Sequence, residues 1–322
     1  KFDHLPHLQS LEIRMHLLRL EHVFALPRGL KLFSTITGAI NSTENIVELL
    51  SHLPPGLETL RVGFPDPLSA SEAAALPRTL TEIRHPNRDV DRYGSMQLKN
   101  DNALLCLPPN LTGIICHERL QPTSPLSTKT SLRYMLTRNS VEPRILPRNL
   151  TTLICTISDG FDVRSLQDLP SSLKTLEASG LLGTKLEDYK HLPSGLTTLK
   201  LSASGRPFLL VSSFSALPRH LTRLQIDQRM ATDCDEFFEG LPTTLTELEL
   251  RRLVLDGEPS FEPMRLLTRL SRLTIGFIQQ KTSYETPLMD GWIPLLPRSL
   301  ALVSLEVSNL GGFFKGGVTP TG

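Results

Sequence analysis

The string LPTTLTELEL at residues 241–250 comes back as LPSGLTTLKL at 192–201 and as LPPGLETLRV at 53–62. A chain that repeats one short unit has to be read as an array, because the period governs every later step of the reading. Leu followed by Pro occurs at Leu5, Leu26, Leu53, Leu76, Leu107, Leu146, Leu169, Leu192, Leu217, Leu241 and Leu296. From Leu146 to Leu241 the steps are 23, 23, 25 and 24 residues. The 55 residues from Leu241 to Leu296 span two periods, and LLTRLSRLTI at 266–275 fits the template there without its Pro. The 39 residues from Leu107 to Leu146 hold either a long insertion or a degenerate unit near SLRYML at 131–136, and the insertion is the expectation.

The template is L-P-x-x-L-x-x-L-x-Φ, with Φ apolar. Leu245, Leu248 and Leu250 fill it in one unit, Leu196, Leu199 and Leu201 in another, and Leu221, Leu224 and Ile226 in a third. Its last residues alternate in and out, which is the period of a strand. Thr recurs beside the Leu and suits a pleated surface. A second apolar position stands three residues before the LP, at Leu50, Leu166, Tyr189, Phe214, Phe238 and Ile293. The strings around it, such as ENIVELLSHLP and KLEDYKHLP, read as one or two helical turns with one apolar face. Each unit is therefore a short helical segment, a corner and a strand. Pro suits the corner because it fixes φ and donates no hydrogen bond.

This LxxLxL pattern resembles the leucine-rich repeat family. Its LP-initiated form is similar to LP-type repeats of bacterial effectors and to FNIP-type repeats of amoebae and giant viruses. The resemblance covers roughly residues 5–310. It implies an α/β solenoid, a curved array with a parallel concave sheet and short helical or irregular convex segments. Residues 1–310 are expected to form one solenoid of about 11–12 repeats, followed by a Gly-rich C-terminal tail at 311–322, in which GGFFKGG covers the open end of the core. The Asn that closes the strand segment in the family is replaced by Pro65, Leu181, Ser204, Arg229 and Leu253, so the Asn ladder between turns is missing. Strands are expected near 11–13, 59–62, 82–84, 113–116, 152–155, 175–178, 198–201, 223–226, 247–250, 272–275 and 304–307. About twelve strands at roughly 4.8 Å would run on the order of 55 Å.

Length and composition fit this reading. An array escapes the usual domain-size prior, so 322 residues need not mean two domains. With 34 basic and 33 acidic residues the charge is +1, which gives no general field for nucleic acid or an anionic membrane. The apolar run FLLV at 208–211 is far too short to span a membrane. Cys106, Cys116, Cys155 and Cys234 are interior and read as buried small apolar residues. No signal-peptide core stands at the start, and this together with the absence of Cys-rich caps leans toward an intracellular chain. Asn41, Asn110 and Asn149 open N-x-S/T sequons, which matter only in a secreted chain.

Chemistry is sparse. His4, His52 and His191 share one slot before the LP, which marks a corner residue and not a ligand. No nucleophile–base pair, paired carboxylate, phosphate loop or metal spacing stands out, so an enzyme is not expected, nor a cofactor or a metal. Because the strands alternate, one face of the sheet must meet solvent, and such faces are extended binding surfaces in solenoids. The expected function is a non-catalytic scaffold for a protein or peptide partner, alone or within a larger complex. Alternatives are the recognition arm of a ubiquitin ligase, an extracellular recognition protein, and a structural subunit of a large assembly. The expected site is Lys200, Arg223, Gln225, Asp227, Glu247, Glu249, Arg251 and Arg272, at matching outward positions of consecutive strands. Reversing Arg223 and Arg251 to Glu is expected to abolish capture. Internal pairing of these charges, for instance Arg223 with Glu247, is the competing expectation.

Overall fold

The computed structural model describes residues 5, 7–41, 45–64, 66–84, 98–99, 101–116, 125–137, 142–156, 163–179, 186–202, 209–210, 214–232, 238–255, 262–280, 293–309 and 312–313. Residues 1–155 and 156–322 form two compact units. In the first, β1 (Ser10–Ile13), β3 (Leu32–Ile40), β4 (Thr59–Gly63) and β5 (Glu82–Arg84) follow one another in a parallel ladder, and β2 (Leu17–Leu18) flanks β3. A second run joins β6 (Gly113–Cys116), β7 (Tyr134–Thr137) and β8 (Thr152–Thr156), again parallel. Four short helices precede LP corners: α1 (Leu20–Phe24), α2 (Ile46–Ser51), α3 (Ala70–Ala75) and α4 (Asp101–Cys106). Asn45 caps α2, and Ser69 with Glu72 forms a capping box on α3, so their first amides are satisfied.

In the second unit the parallel ladder is β9 (Thr175–Ser179), β10 (Thr198–Ser202), β12 (Arg223–Thr232), β13 (Glu247–Leu255), β14 (Arg272–Gln280) and β15 (Leu302–Asn309). The two-residue β11 (Leu209–Leu210) flanks β12. Single 3₁₀ turns such as Leu186–His191 and Phe214–Ala216 take the place of α-helices.

The Leu-Pro corner is a pair of interlocking turns. The N–H of the LP leucine donates to the carbonyl three residues back, as in Leu192 to Tyr189 and Leu217 to Phe214. The Pro carbonyl then accepts from the leucine three residues on, as in Pro193 from Leu196 and Pro218 from Leu221. Neither turn uses the amide that Pro lacks. Leu76 and Leu146 sit at φ −64°, ψ 142° and φ −68°, ψ 143°, the extended conformation that a following Pro imposes. That same constraint ends the helical segment before it.

The inward rows match the sequence pattern. Leu199, Leu224, Leu248 and Leu273 are buried, as are Leu201, Ile226, Leu250 and Ile275 two residues on. Leu50, Leu166, Tyr189, Phe214 and Phe238 are buried behind them. The side chain of Ile293 lies outside the described residues.

Several expectations need correction. The 39-residue gap contains a degenerate repeat and not merely an insertion: β7 pairs with both β6 and β8, and Leu132 and Met135 are buried. Lys129 stands where Pro stands elsewhere, its carbonyl accepting from the Leu132 N–H at 3.1 Å. Its ammonium donates to the Leu105 and Leu107 carbonyls, and burial followed by the nearby Arg78 charge lowers its pKa. The strand after Leu26-Pro27, absent from the expected set, is β3, with Leu30 and Phe33 in the inward row. The later strands are longer than four residues. Beyond a bulge after Ile226, Met230, Leu253 and Ile278 pair side by side. Arg229 and Leu253, expected at the ends of strands, lie within them because nothing turns the backbone out of its ladder. Of the tail, Gly312–Phe313 forms β16, antiparallel to β15, and 314–322 lie outside the described residues.

Nor do the turns lack a side-chain tie. The residue after the template leucine donates its hydroxyl to the backbone carbonyl of the equivalent residue one repeat earlier. In the first unit Thr81 donates to Glu58, Thr112 to Thr81 and Thr151 to Arg133, at 2.9–3.1 Å. In the second, Thr197 donates to Lys174, Thr222 to Thr197, Thr246 to Thr222 and Ser271 to Thr246, at 3.0–3.1 Å. The backbone N–H of each donor shares the same carbonyl. Thr is therefore suited to this position by its hydroxyl as well as its shape. Thr246→Val keeps the shape and removes the donor, so it should lower stability by about 0.5–1.5 kcal/mol. A urea midpoint unchanged by that substitution would show that the backbone amide alone satisfies the carbonyl.

Candidate interaction surface

Outward positions of the second unit fall into rows because its strands pair in register. One row is Thr175, Thr198, Arg223, Glu247, Arg272, and the next is Glu177, Lys200, Gln225, Glu249, Thr274. A third begins Ser179, Ser202, Asp227. Seven of the eight residues expected from the sequence fall in these rows, and the eighth, Arg251, joins the same face through Glu249 and Asp227. Strands about 4.8 Å apart bring their side chains within reach of one another.

The charges pair across the strands. Glu247 stands between two arginines, meeting Arg223 Nε at 3.1 Å and Arg272 Nη1 at 3.4 Å. Arg251 donates from Nε to Glu249 at 2.7 Å and from Nη1 to Asp227 at 3.3 Å. The hydrogen bond from Arg251 to Glu249, with the charge of Asp227, raises the Arg251 pKa above its ordinary value. Lys200 meets Glu177 at 3.2 Å. The Ser179 and Ser202 hydroxyls stand 2.7 Å apart. Lys200, Arg223, Gln225, Asp227, Glu249 and Arg251 line a shallow depression of about 470 Å³ together with Glu177, Leu201 and Ser202.

The internal pairing that competes with binding is therefore present, and it includes the Arg223–Glu247 pair. Each contact is half exposed and contributes only about 0–1 kcal/mol to stability. Its consequence is geometric, since it holds long side chains in fixed positions. Glu177, Ser179 and Ser202 belong to this face although the eight expected residues omit them. The signal that could have found them is the row itself, read sideways across the repeats.

Other groups serve structure. His52 sits with Nδ1 2.8 Å from the Glu48 carbonyl, and Phe24 meets its ring edge-on with centroids 4.6 Å apart. That is a corner role, as its slot implies. Cys155 is buried and free, its thiol pushed up to about 12 by burial, while the free Cys106 is half-buried. Among the described residues no group of three or more His, Cys, Asp or Glu could hold a metal ion, and no helix is long and apolar enough to cross a membrane.

No protein-family model matches the chain. No curated protein sequence matches it either. Solved structures do. An internalin of Listeria monocytogenes, InlF, aligns over 94% of this chain and 88% of its own, with 18% identity and a TM-score of 0.52. CroV588, a circular leucine-rich repeat protein, aligns over 94% and 54% with 16% identity and a TM-score of 0.44. TLR13, in its complex with ssRNA13, aligns over 97% and 55% with 18% identity and a TM-score of 0.46. The chain spans about half the length of the latter two. Taken with the parallel ladders and stacked leucines, the first likeness shows a leucine-rich repeat fold.

Proposed function

We propose that this leucine-rich repeat chain is a non-catalytic scaffold that binds a protein or peptide partner on the open sheet face of its second unit. The observation that carries this reading is the arrangement of β9 to β14. Rows of polar side chains are fixed by cross-strand pairing above a closed layer of leucine. A platform of that kind offers many donors and acceptors at low cost in side-chain ordering, which favours association. Within the fold, we assign the chain to the variety whose units open on Leu-Pro, since Leu and Pro together make both turns of the corner.

The network changes how this should be tested. Reversing Arg223 and Arg251 to Glu sets like charges against Glu247, Asp227 and Glu249, and that disturbs the face beyond loss of contact. Arg223→Gln with Arg251→Gln removes the charge without reversing it and keeps a polar side chain. The immobilised chain should capture its partner from the native source, and this double variant should lose at least about tenfold in affinity, the scale of removing charge-assisted bonds. Equal capture by the variant and the native chain moves the site to the connections within 84–106 and 117–145.

A further inference from the structure

Resting on the reading that this face binds, we infer that its partner presents an acidic peptide in extended form. Its carboxylates meet the guanidinium forks of Arg223, Arg251 and Arg272. The arginine ion pairs are layered, whereas in the Lys200–Glu177 pair the order is reversed, at 31% and 38% exposed. The acids lie lower, with Asp227, Glu247 and Glu249 side chains 30%, 29% and 27% exposed, and the arginines stand proud, with Arg223, Arg251 and Arg272 at 43%, 51% and 53%. A partner approaching this face meets guanidinium first. The acids beneath are engaged and act as struts that orient the forks.

The forks keep donors to spare. Arg223 meets Glu247 through Nε, and Arg272 meets it through Nη1, so each retains N–H groups without a partner among the described residues. A planar fork pairs with a carboxylate through two parallel bonds, and one already oriented loses less freedom on binding. Arg223 and Arg272 lie in one row two strands apart, about 10 Å at the usual strand spacing. A peptide in the extended polyproline II form rises about 3.1 Å per residue with three residues per turn, so carboxylates at positions i and i+3 lie on one side and about 9 Å apart. A basic partner finds Asp227, Glu247 and Glu249 already taken and lower than the arginines, and only Glu177 more exposed than its cation. A long polyanion is disfavoured because Lys200, Arg223, Arg251 and Arg272 are balanced by Glu177, Asp227, Glu247 and Glu249, leaving little net charge to release counterions.

The test selects a displayed library of random 12-residue peptides on the full chain and measures the recovered peptides by fluorescence anisotropy. Recovered sequences should be enriched in Asp and Glu at i, i+3 spacing. Their affinity should fall about tenfold for each guanidinium removed in Arg223→Gln and Arg272→Gln, and should weaken as salt rises from about 0.05 to 0.5 M. Arg28→Gln with Arg148→Gln, both far from this face in sequence and exposed, should change nothing. Circular dichroism confirms that each variant folds. Neutral or basic peptides that still depend on Arg223 and Arg272 overturn the acidic partner and leave the binding face standing. Peptides indifferent to the variants overturn both. Recovery of no peptide overturns the inference, as does arginine-dependent binding of a single-stranded RNA 12-mer with no acidic peptide recovered.

Discussion

Leu224→Ala is expected to lower the free energy of unfolding by about 2–5 kcal/mol, the range for truncating a fully buried leucine in a core that collapses only partly. Leu224 is 0% exposed. It pairs in register with Leu199 on β10 and with Leu248 on β13, so the cavity opens at both of its joints. In an array where each unit touches only its neighbours, one truncation weakens two interfaces. Chemical denaturation followed by circular dichroism reads the effect directly. A midpoint equal to that of the native chain would mean that the side chain points to solvent and the register is wrong by one residue.

Gly276→Ala should cost about 1–3 kcal/mol, as overpacking does, and it should also weaken the candidate face. A Cβ at this position would stand 2.5 Å from the Arg251 carbonyl oxygen and 3.0 Å from its Cα. Those are backbone atoms of β13, and they can yield only if the strands move apart. Arg251 would then shift against Asp227 on β12. Loss of stability and loss of peptide affinity should therefore appear together in this one variant. Gly56→Ala is the control, because a Cβ there meets nothing within 4 Å. It should be neutral, or stabilising by about 0.4–1 kcal/mol through the unfolded chain. If both alanine variants melt alike, the close approach of β13 and β14 is not what keeps Gly276 small.

The repeat made the inward rows legible. Leu196, Leu199 and Leu201 could be placed from the amino-acid string alone because a period of two and a Leu-Pro corner are local facts. A pleated strand sends alternate residues to one face whatever lies beside it. The corner is likewise local, since Pro and the leucine before it fix their own dihedrals. The eight residues of the candidate face followed by the same logic, as the positions between and just beyond those leucines.

Only the tertiary structure decided what sits beside what. Lys129 stands in place of Pro and donates to carbonyls more than twenty residues away, so the Leu-Pro signature is missing there and SLRYML at 131–136 did not by itself decide between a repeat and an insertion. Strands β12 to β14 run on past their expected ends because their backbones stay paired beyond Ile226, Leu250 and Ile275, and no single strand encodes that. The Thr residues could have meant strand propensity alone, but each hydroxyl meets a carbonyl of the preceding turn. The Arg223–Glu247 pair was expected from the sequence, but the second arginine on Glu247, Arg272, and the bridge from Arg251 to both Asp227 and Glu249 were not. Which arginine meets which acid depends on the stagger between neighbouring repeats of unequal length. Stagger is settled by packing and hydrogen bonding between segments far apart in the chain, whereas the amino-acid string determines directly only what each residue does within its own turn and strand.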